Sequence, residues 1–140
     1  MRSKNDMRST KIVTSFVTKN NKFLILKRSD KVKSMKGLWG AVSGIIEEGE
    51  EPLVRAKIEI YEEIGAKGDA IKLLKAGKEM VVSSPQYLDH QWIIFPFLFA
   101  INREQITLNW ENDSYKWITP DEIDQYETVP SLDEVLFNLL

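Results

Sequence analysis

Three glutamates, Glu59, Glu62 and Glu63, follow one another at i, i+3 and i+4 between Pro52 and Gly65. This stretch has no internal helix breaker, so it predicts a helix over 52–65 whose 3.6-residue turn puts the three carboxylates on one face. Like charges at this spacing destabilise a helix, and anions are disfavoured in its last turn. The pattern therefore favours a cation-binding site. The alternative is a solvated acidic face that Arg55 partly neutralises.

The composition restricts which ion such a site could take. The chain has no cysteine and a single histidine, His90. Thiolate zinc sites, iron–sulfur clusters, disulfides and cysteine nucleophiles are thereby excluded, and a Ser-His-Asp triad would depend on His90 alone. The ligands must be oxygens, which indicates a hard ion: Mg²⁺, Mn²⁺ or Ca²⁺.

The segment from Gly44 to Ala66 resembles the Nudix box, Gly-x5-Glu-x7-Arg-Glu-apolar-x-Glu-Glu-x-Gly-apolar. One fixed position departs from the pattern, because Ile58 stands where the family has arginine. The resemblance extends from about Lys11 onward. It implies the Nudix fold, an α/β/α sandwich around a mixed sheet. The matching fixed positions are Gly44, Glu50, Glu59, Ile60, Glu62, Glu63, Gly65 and Ala66.

The resemblance implies an enzyme that hydrolyses a phosphoanhydride bond in a nucleoside diphosphate linked to another group, such as a nucleoside triphosphate or a nucleotide sugar, with Mg²⁺ or Mn²⁺. Glu59, Glu62, Glu63 and the carbonyl of Gly44 would bind the ion. Glu59 is the first candidate for the general base.

Two further acidic residues and two orienting residues complete this expectation. Glu111, and after it Asp113, are the downstream candidates for the base. Glu50 would orient the box, and Arg55 lies one turn before Glu59, within reach of it. If Arg55 does not replace the missing arginine, activity would be low. The alternative function is therefore a catalytically weak or inactive Nudix-fold protein that binds nucleotide or RNA as a regulator. A calcium-binding or purely structural acidic domain is a third possibility.

Substrate contacts are expected from cations and one aromatic side chain near the box. Arg28 ends a predicted strand, and Lys36 belongs to the basic loop that follows it. A basic rim beside a metal site suits a polyphosphate, although a solvated loop is the alternative. Trp92 is a candidate for stacking on a base, with core packing as its alternative.

The elements that must position these residues follow from periodicity and turn signals. They predict strands, one long helix, more strands and two C-terminal helix starts at Thr119 and Ser131, each with the capping-box pattern. The fold class is α+β, with a flexible arm at residues 1–10 and a single domain at 11–140. The predicted strands are Lys11–Thr18, Lys22–Arg28, Gly37–Ser43, Ile71–Val82, Gln91–Ile101, Ile106–Trp110 and Tyr115–Ile118.

Whole-chain properties bound the partners. With 140 residues and a formal charge of -2, the chain as a whole does not attract nucleic acid, so a small nucleotide or diphosphate is the expected partner. The apolar run Trp92–Ile101 is too short to span a membrane and contains Pro96; it is a candidate for a homodimer contact. The polar N-terminus has no apolar signal region, which predicts a cytoplasmic location.

Overall fold

The computed structural model describes residues 8–83, 88–103 and 105–140. Its regular elements follow the predicted alternation of strands, helix, strands and helices. Short 3₁₀ helices occupy Gly68–Ala70 and Pro120–Gln125. The strands and α-helices are β1 (Arg8–Lys19), β2 (Lys22–Arg28), β3 (Trp39–Gly40), β4 (Val42–Ile45), α1 (Pro52–Ile64), β5 (Ile71–Ala76), β6 (Met80–Ser83), β7 (His90–Ile101), β8 (Asn112–Ile118) and α2 (Leu132–Asn138).

The sheet is mixed. β1 runs parallel to β7 over its whole length, from the pair Arg8–His90 to the pair Thr18–Ala100. The other strand pairs are antiparallel: β2 with β1, β3 and β8, β4 with β1, and β5 and β6 with β7. β4 lies beside β1 in the register Val13–Gly44, which places Gly44 at the sheet edge where α1 packs.

Alternating residues of the strands feed two cores, one on each face of the sheet. α1 covers one face, where Ala56, Ile60 and Ile64 pack with Val13 and Val17 of β1. The other face packs against α2 and the 3₁₀ helix that precedes it. The buried residues there include Phe16, Ile25, Ile94, Ile123, Leu132 and Leu136. The predicted α/β/α layering and the α+β class are confirmed.

Several predicted boundaries were wrong. The Gly37–Ser43 strand is divided into β3 and β4, and the Ile71–Val82 strand is divided into β5 and β6. Ile106–Trp110 is not a strand: it has no pairing partner among the described residues, and the backbone N–H of Thr107 donates instead to Ile64 O at the end of α1. β1 begins at Arg8, inside the segment predicted as an arm, whose residues 1–7 lie outside the described ranges.

The C-terminal helix starts also differ in part from the prediction. At Thr119 the Glu122 carboxylate accepts hydrogen bonds from the backbone N–H and the hydroxyl, at 2.9 and 2.7 Å, but the helix is 3₁₀. Ser131 has φ 65° and makes no side-chain cap. A serine in the left-handed region does not have the extended backbone that capping requires.

β7 is an interior strand, which excludes pairing of its edges with a second copy, and the homodimer itself stays a prediction. Its two edges are already paired, with β1 on one side and with β5 and β6 on the other, and most of its side chains enter the two cores. The segment Trp92–Ile101 therefore has no free edge for a homodimer. Within the described ranges, no helix is long and apolar enough to cross a membrane.

Candidate active site

The helix that carries the glutamates begins and ends as predicted. Pro52 occupies its first turn, where the missing N–H costs no hydrogen bond. Gly65 ends it with φ 76°, and its N–H donates to Tyr61 O at 2.9 Å. This left-handed cap suits glycine, because a side chain would strain the backbone there. The bounds of α1 fix where its acidic residues point.

The acidic face of α1 is not a solvated one. Glu59 and Glu63 are 7% and 3% exposed, and they face the sheet beside the apolar residues of the helix. Glu62 is exposed, as are the apolar side chains of Val54 and Tyr61 on the same helix. Two of the three glutamates predicted to bind the ion are therefore buried carboxylates, which need a partner charge or hydrogen bonds.

Gly44 lies directly against Glu59. A Cβ added at Gly44 would stand 2.5 Å from Cγ of Glu59 and closer still to its carboxyl carbon. Glycine is required at this position because the carboxylate itself fills the space.

We expect Gly44→Ala to push Glu59 out of place. Such overpacking lowers the free energy of unfolding by about 1–3 kcal/mol, and hydrolytic activity should fall with it. Gly40→Ala is the matched control, because its added Cβ would meet only Val129, at 3.7 Å. Urea unfolding of both variants checks the difference. Equal stability of the two would contradict the close packing.

Glu63 is held by groups from two strands. One carboxylate oxygen accepts the backbone N–H of Ser43 at 3.2 Å, and the other accepts the side-chain amide of Asn112 at 3.1 Å. Burial, followed by the charges of Glu111 and Glu59, raises the pKa of Glu63 well above its usual value; the two hydrogen bonds oppose this. The folded protein thus concentrates negative charge that its own donors do not balance.

Glu59 and Glu111 complete this concentration of charge. Burial, and then the charge of Glu62, raises the pKa of Glu59 to about 7, with Glu111 adding to the shift. Glu111 is half-buried beside the site, and its side chain accepts a bond from the Asn109 amide at 3.3 Å. Asp113, the other downstream candidate, is exposed and bonded to Ser114. Of the two, Glu111 is the one whose charge reaches both buried glutamates.

Arg55 contacts Glu59, as predicted, and also Glu50, which the sequence analysis had not paired with it. Its Nε and Nη2 donate to the two oxygens of Glu50, at 2.9 and 2.6 Å, and its Nη1 donates to Glu59 at 3.3 Å. This bidentate geometry is the strong form of an arginine–carboxylate pair, and it lowers the pKa of Glu50. Ile58 is half-buried one turn on, so the cation that contacts Glu50 and Glu59 is Arg55 and not a residue at the box position.

A family comparison decides what this arrangement belongs to. The model of the NUDIX domain matches residues 8–139, nearly the whole chain. The chain belongs to the Nudix family. The predicted enzyme class, a Nudix-type pyrophosphohydrolase, agrees with the relatives described next.

Individual Nudix proteins are similar over most of the chain. Nucleoside triphosphatase NudI of Escherichia fergusonii is 29% identical over 128 residues, which cover 86% of this chain and 89% of the relative. A MutT protein from Methanosarcina mazei superimposes with a TM-score of 0.79 at 18% identity, covering 94% and 93% of the two chains. A MutT NUDIX hydrolase from Burkholderia pseudomallei gives 0.71 at 20% identity, covering 95% and 99%. The two structures establish the Nudix fold.

The carboxylates fit the divalent ion that Nudix hydrolases generally use. Within the described residues, no three acidic or histidine side chains converge into a ready-made cage. Mg²⁺ does not need one, because it is usually held by one or two carboxylates together with water and substrate phosphates. Two buried glutamates with raised pKa values, together with the charge of Glu111, provide negative charge that the pairing of Glu59 with Arg55 balances only in part and that a dication would neutralise.

We expect the stability of the ion-free Nudix domain to fall between about pH 5 and pH 8. The pKa values of Glu59 and Glu63 are raised above those of the unfolded chain. The folded state therefore holds more protons in this window, and the free energy of unfolding decreases as pH rises. Added Mg²⁺ should raise the melting temperature more at about pH 8 than at about pH 6, because protons no longer compete with it. Thermal unfolding with chelator and with Mg²⁺ measures both effects, and an equal Mg²⁺ shift at the two pH values would contradict the assignment.

A cavity of about 180 Å³ lies on the α2 face of the sheet, and two of the three predicted substrate residues line it. Arg28 and Trp92 are in its wall, whereas Lys36 is exposed and outside it. Trp92 packs against the ring of His90, with centroids 4.7 Å apart. His90 is hydrogen-bonded to Thr10 at 2.7 Å, and it is not one of the residues that line the cavity.

Sequence reasoning missed two residues of the site. Asn112 is buried and bonded to Glu63, and Ser43 both lines the cavity and donates its N–H to Glu63. Ser43 therefore connects the cavity to the carboxylates. The only signal in the sequence was that Asn112 is adjacent to Glu111. Both Asn112 and Ser43 reach α1 through strand pairing, which the sequence analysis did not predict.

Proposed function

We propose that this protein hydrolyses a phosphoanhydride bond of a nucleoside triphosphate, using Mg²⁺ or Mn²⁺. The observation that carries the proposal is the shared position of Ser43, which is part of the cavity wall and a hydrogen-bond donor to Glu63. A nucleoside held in the cavity can thus present its phosphates to the carboxylates. The similarity to a nucleoside triphosphatase supports the choice of a triphosphate over a nucleotide sugar.

The glutamates of α1 are assigned to the ion. Glu59, Glu62 and Glu63, with the carbonyl of Gly44, would hold it. The bound ion would polarise a phosphoryl oxygen and neutralise the diphosphate charge. Glu62 is exposed to solvent. It can therefore contact an ion that arrives from solvent, and this contact would form only when the ion is bound. Arg55, which Glu50 holds, keeps Glu59 in place from one turn earlier on the same helix.

Glu111 is assigned as the general base. Glu59 is buried against Gly44 and accepts a hydrogen bond from Arg55. The remaining lone pairs of its carboxylate are therefore assigned to the ion. Glu111 is less buried, and Asn109 holds both its backbone N–H and its carboxylate. It would accept a proton from the attacking water as the new P–O bond forms and the bridging P–O bond breaks, releasing a phosphate or diphosphate leaving group. Lys36, at the exposed loop, would contact the outer phosphates.

The test is a panel of nucleoside triphosphates, ADP-ribose, diadenosine polyphosphates and dinucleotides, each incubated with Mg²⁺ or Mn²⁺. Released phosphate and pyrophosphate are measured. We expect ion-dependent turnover to be fastest for a nucleoside triphosphate. Binding without turnover across the panel would instead favour the regulatory function, and turnover confined to another diphosphate class would contradict the choice of substrate.

A further inference from the structure

Among the described residues, the cavity wall contains one charged group. Its described lining consists of apolar side chains, glycine, the hydroxyl residues Thr14, Ser34 and Ser43, and the guanidinium of Arg28. Among the described residues, the wall has no carboxylate, no amide side chain and no lysine. The polar edge of a ligand must therefore form its hydrogen bonds chiefly with the guanidinium of Arg28, which donates hydrogen bonds and cannot accept them.

Arg28 is fixed in a single orientation. Its Nε and Nη2 both donate to the carbonyl of Ser34, at 3.2 and 3.0 Å. Its backbone is held as well: its N–H donates to Leu38 O at 2.9 Å, and its carbonyl accepts from Gly37 at 2.8 Å. A side chain that is positioned before the ligand arrives loses little conformational entropy on binding.

The remaining N–H groups of Arg28 define what it can bind. The side of the guanidinium that joins Nε and Nη2 is used by Ser34, which leaves the end formed by Nη1 and Nη2. Two parallel N–H groups match two neighbouring acceptors or one carbonyl oxygen with two lone pairs. An exocyclic amino group of a base donates hydrogen bonds instead. Placed against the guanidinium, it would set one donor against another, and no hydrogen bond could form between them.

We infer that Arg28 makes the cavity selective for nucleobases with a carbonyl oxygen at the recognised edge, over adenine, whose corresponding position carries an amino group. The inference rests on the proposed function for its place in the reaction, but it concerns binding in the cavity and can be tested without turnover. The hydroxyls of Thr14 and Ser43 lie on the same face of neighbouring strands and can donate or accept, so they permit this preference without creating it.

Inosine and adenosine nucleotides are the sharpest probes, because both are purines and differ in the 6-oxo and 6-amino groups. We expect IMP to bind more tightly than AMP by about tenfold or more, as a bidentate arginine contact discriminates between bases. ITP should exceed ATP in kcat/KM by a similar factor. Isothermal titration calorimetry measures the first ratio and phosphate release the second.

Variants at Arg28 complete the test. Arg28→Met should bring the IMP/AMP ratio close to one. Arg28→Gln should move it toward AMP, since a glutamine amide pairs with the adenine edge. Lys33→Met removes an exposed cation of the same loop outside the cavity wall and should leave the ratio unchanged.

Each outcome decides between the two proposals. Selective binding of IMP that depends on Arg28, without hydrolysis of any triphosphate, supports the inference and contradicts the proposed function. Hydrolysis of ITP and ATP at equal kcat/KM, or an equal loss for both in Arg28→Met, overturns the inference, because Arg28 would then contact the phosphates or the sugar that both nucleotides share.

Discussion

Glu63→Gln is expected to lower kcat by more than about 100-fold while the protein stays folded. Groups that only orient a metal ligand typically contribute 10- to 100-fold, and Glu63 is assigned to the ion itself. The substitution keeps the size of the side chain and removes its charge. Steady-state hydrolysis of the best triphosphate, measured over a range of Mg²⁺ concentrations, provides the rate and the ion requirement.

The stability of the Glu63→Gln variant separates loss of function from loss of fold. Burial raises the pKa of Glu63, so ionisation of this group opposes folding at neutral pH. A neutral amide should therefore leave the ion-free melting temperature unchanged or higher, and it should reduce the gain from Mg²⁺. Glu134→Gln, an exposed glutamate on α2, is the control for the chemical change alone. A fully active Glu63→Gln variant would remove Glu63 from the reaction.

Local signals in the sequence were sufficient for the helix that carries the site. Pro52 and Gly65 mark the two ends of α1, and each acts within its own turn of the helix. Pro52 does so through its fixed φ, and Gly65 does so through its left-handed cap. β2 likewise has the predicted bounds, since its apolar run is flanked by the turn at Asn20 and Asn21, both with positive φ. The spacing of the glutamates, and their match to the family pattern, identified the chemical class.

The surroundings of those glutamates could not be predicted from the helix alone. The helical periodicity separates polar from apolar residues, so it placed Glu59 and Glu63 on the face opposite the core and did not predict their burial. Their burial is a consequence of β4 and Asn112 approaching α1 from distant parts of the chain. Ile106–Trp110 failed for a related reason: its alternation suits a strand, but pairing is decided by neighbours, and the segment contacts the end of α1.

The same dependence on tertiary contacts explains the substrate residues. Arg28, at the end of β2, and Trp92, on β7, both lie in the cavity wall because β1 pairs with both of their strands. Lys36, in the loop that follows β2, remains outside the wall. Charge alone identified the group of basic residues at the end of β2 and in the loop after it, but it did not identify Arg28 as the one in the cavity wall. The carbonyl of Ser34 makes that selection by holding the Arg28 guanidinium.

Arg55→Met is expected to lower kcat/KM by about 10- to 100-fold, the range for residues that orient metal ligands. Arg55 joins Glu50 to Glu59, and it opposes the upward shift of the pKa of Glu59. Without it, Glu59 should ionise at higher pH. The acidic limb of the pH–rate profile should therefore move upward, which a purely structural loss would not produce.

The missing arginine of the box offers a rescue. In the Arg55→Met background, Ile58→Arg restores a cation at the family position, one turn from where Arg55 stands, and should recover part of the lost kcat/KM. Ile58→Arg alone should change activity more than the free energy of unfolding, because Ile58 is only half-buried. Lys57→Met removes an exposed cation from the same helix and should change neither. If Arg55→Met matches the unaltered protein in rate and pH profile, Arg55 does not replace the box arginine, and the position of Glu59 depends on Gly44 packing alone.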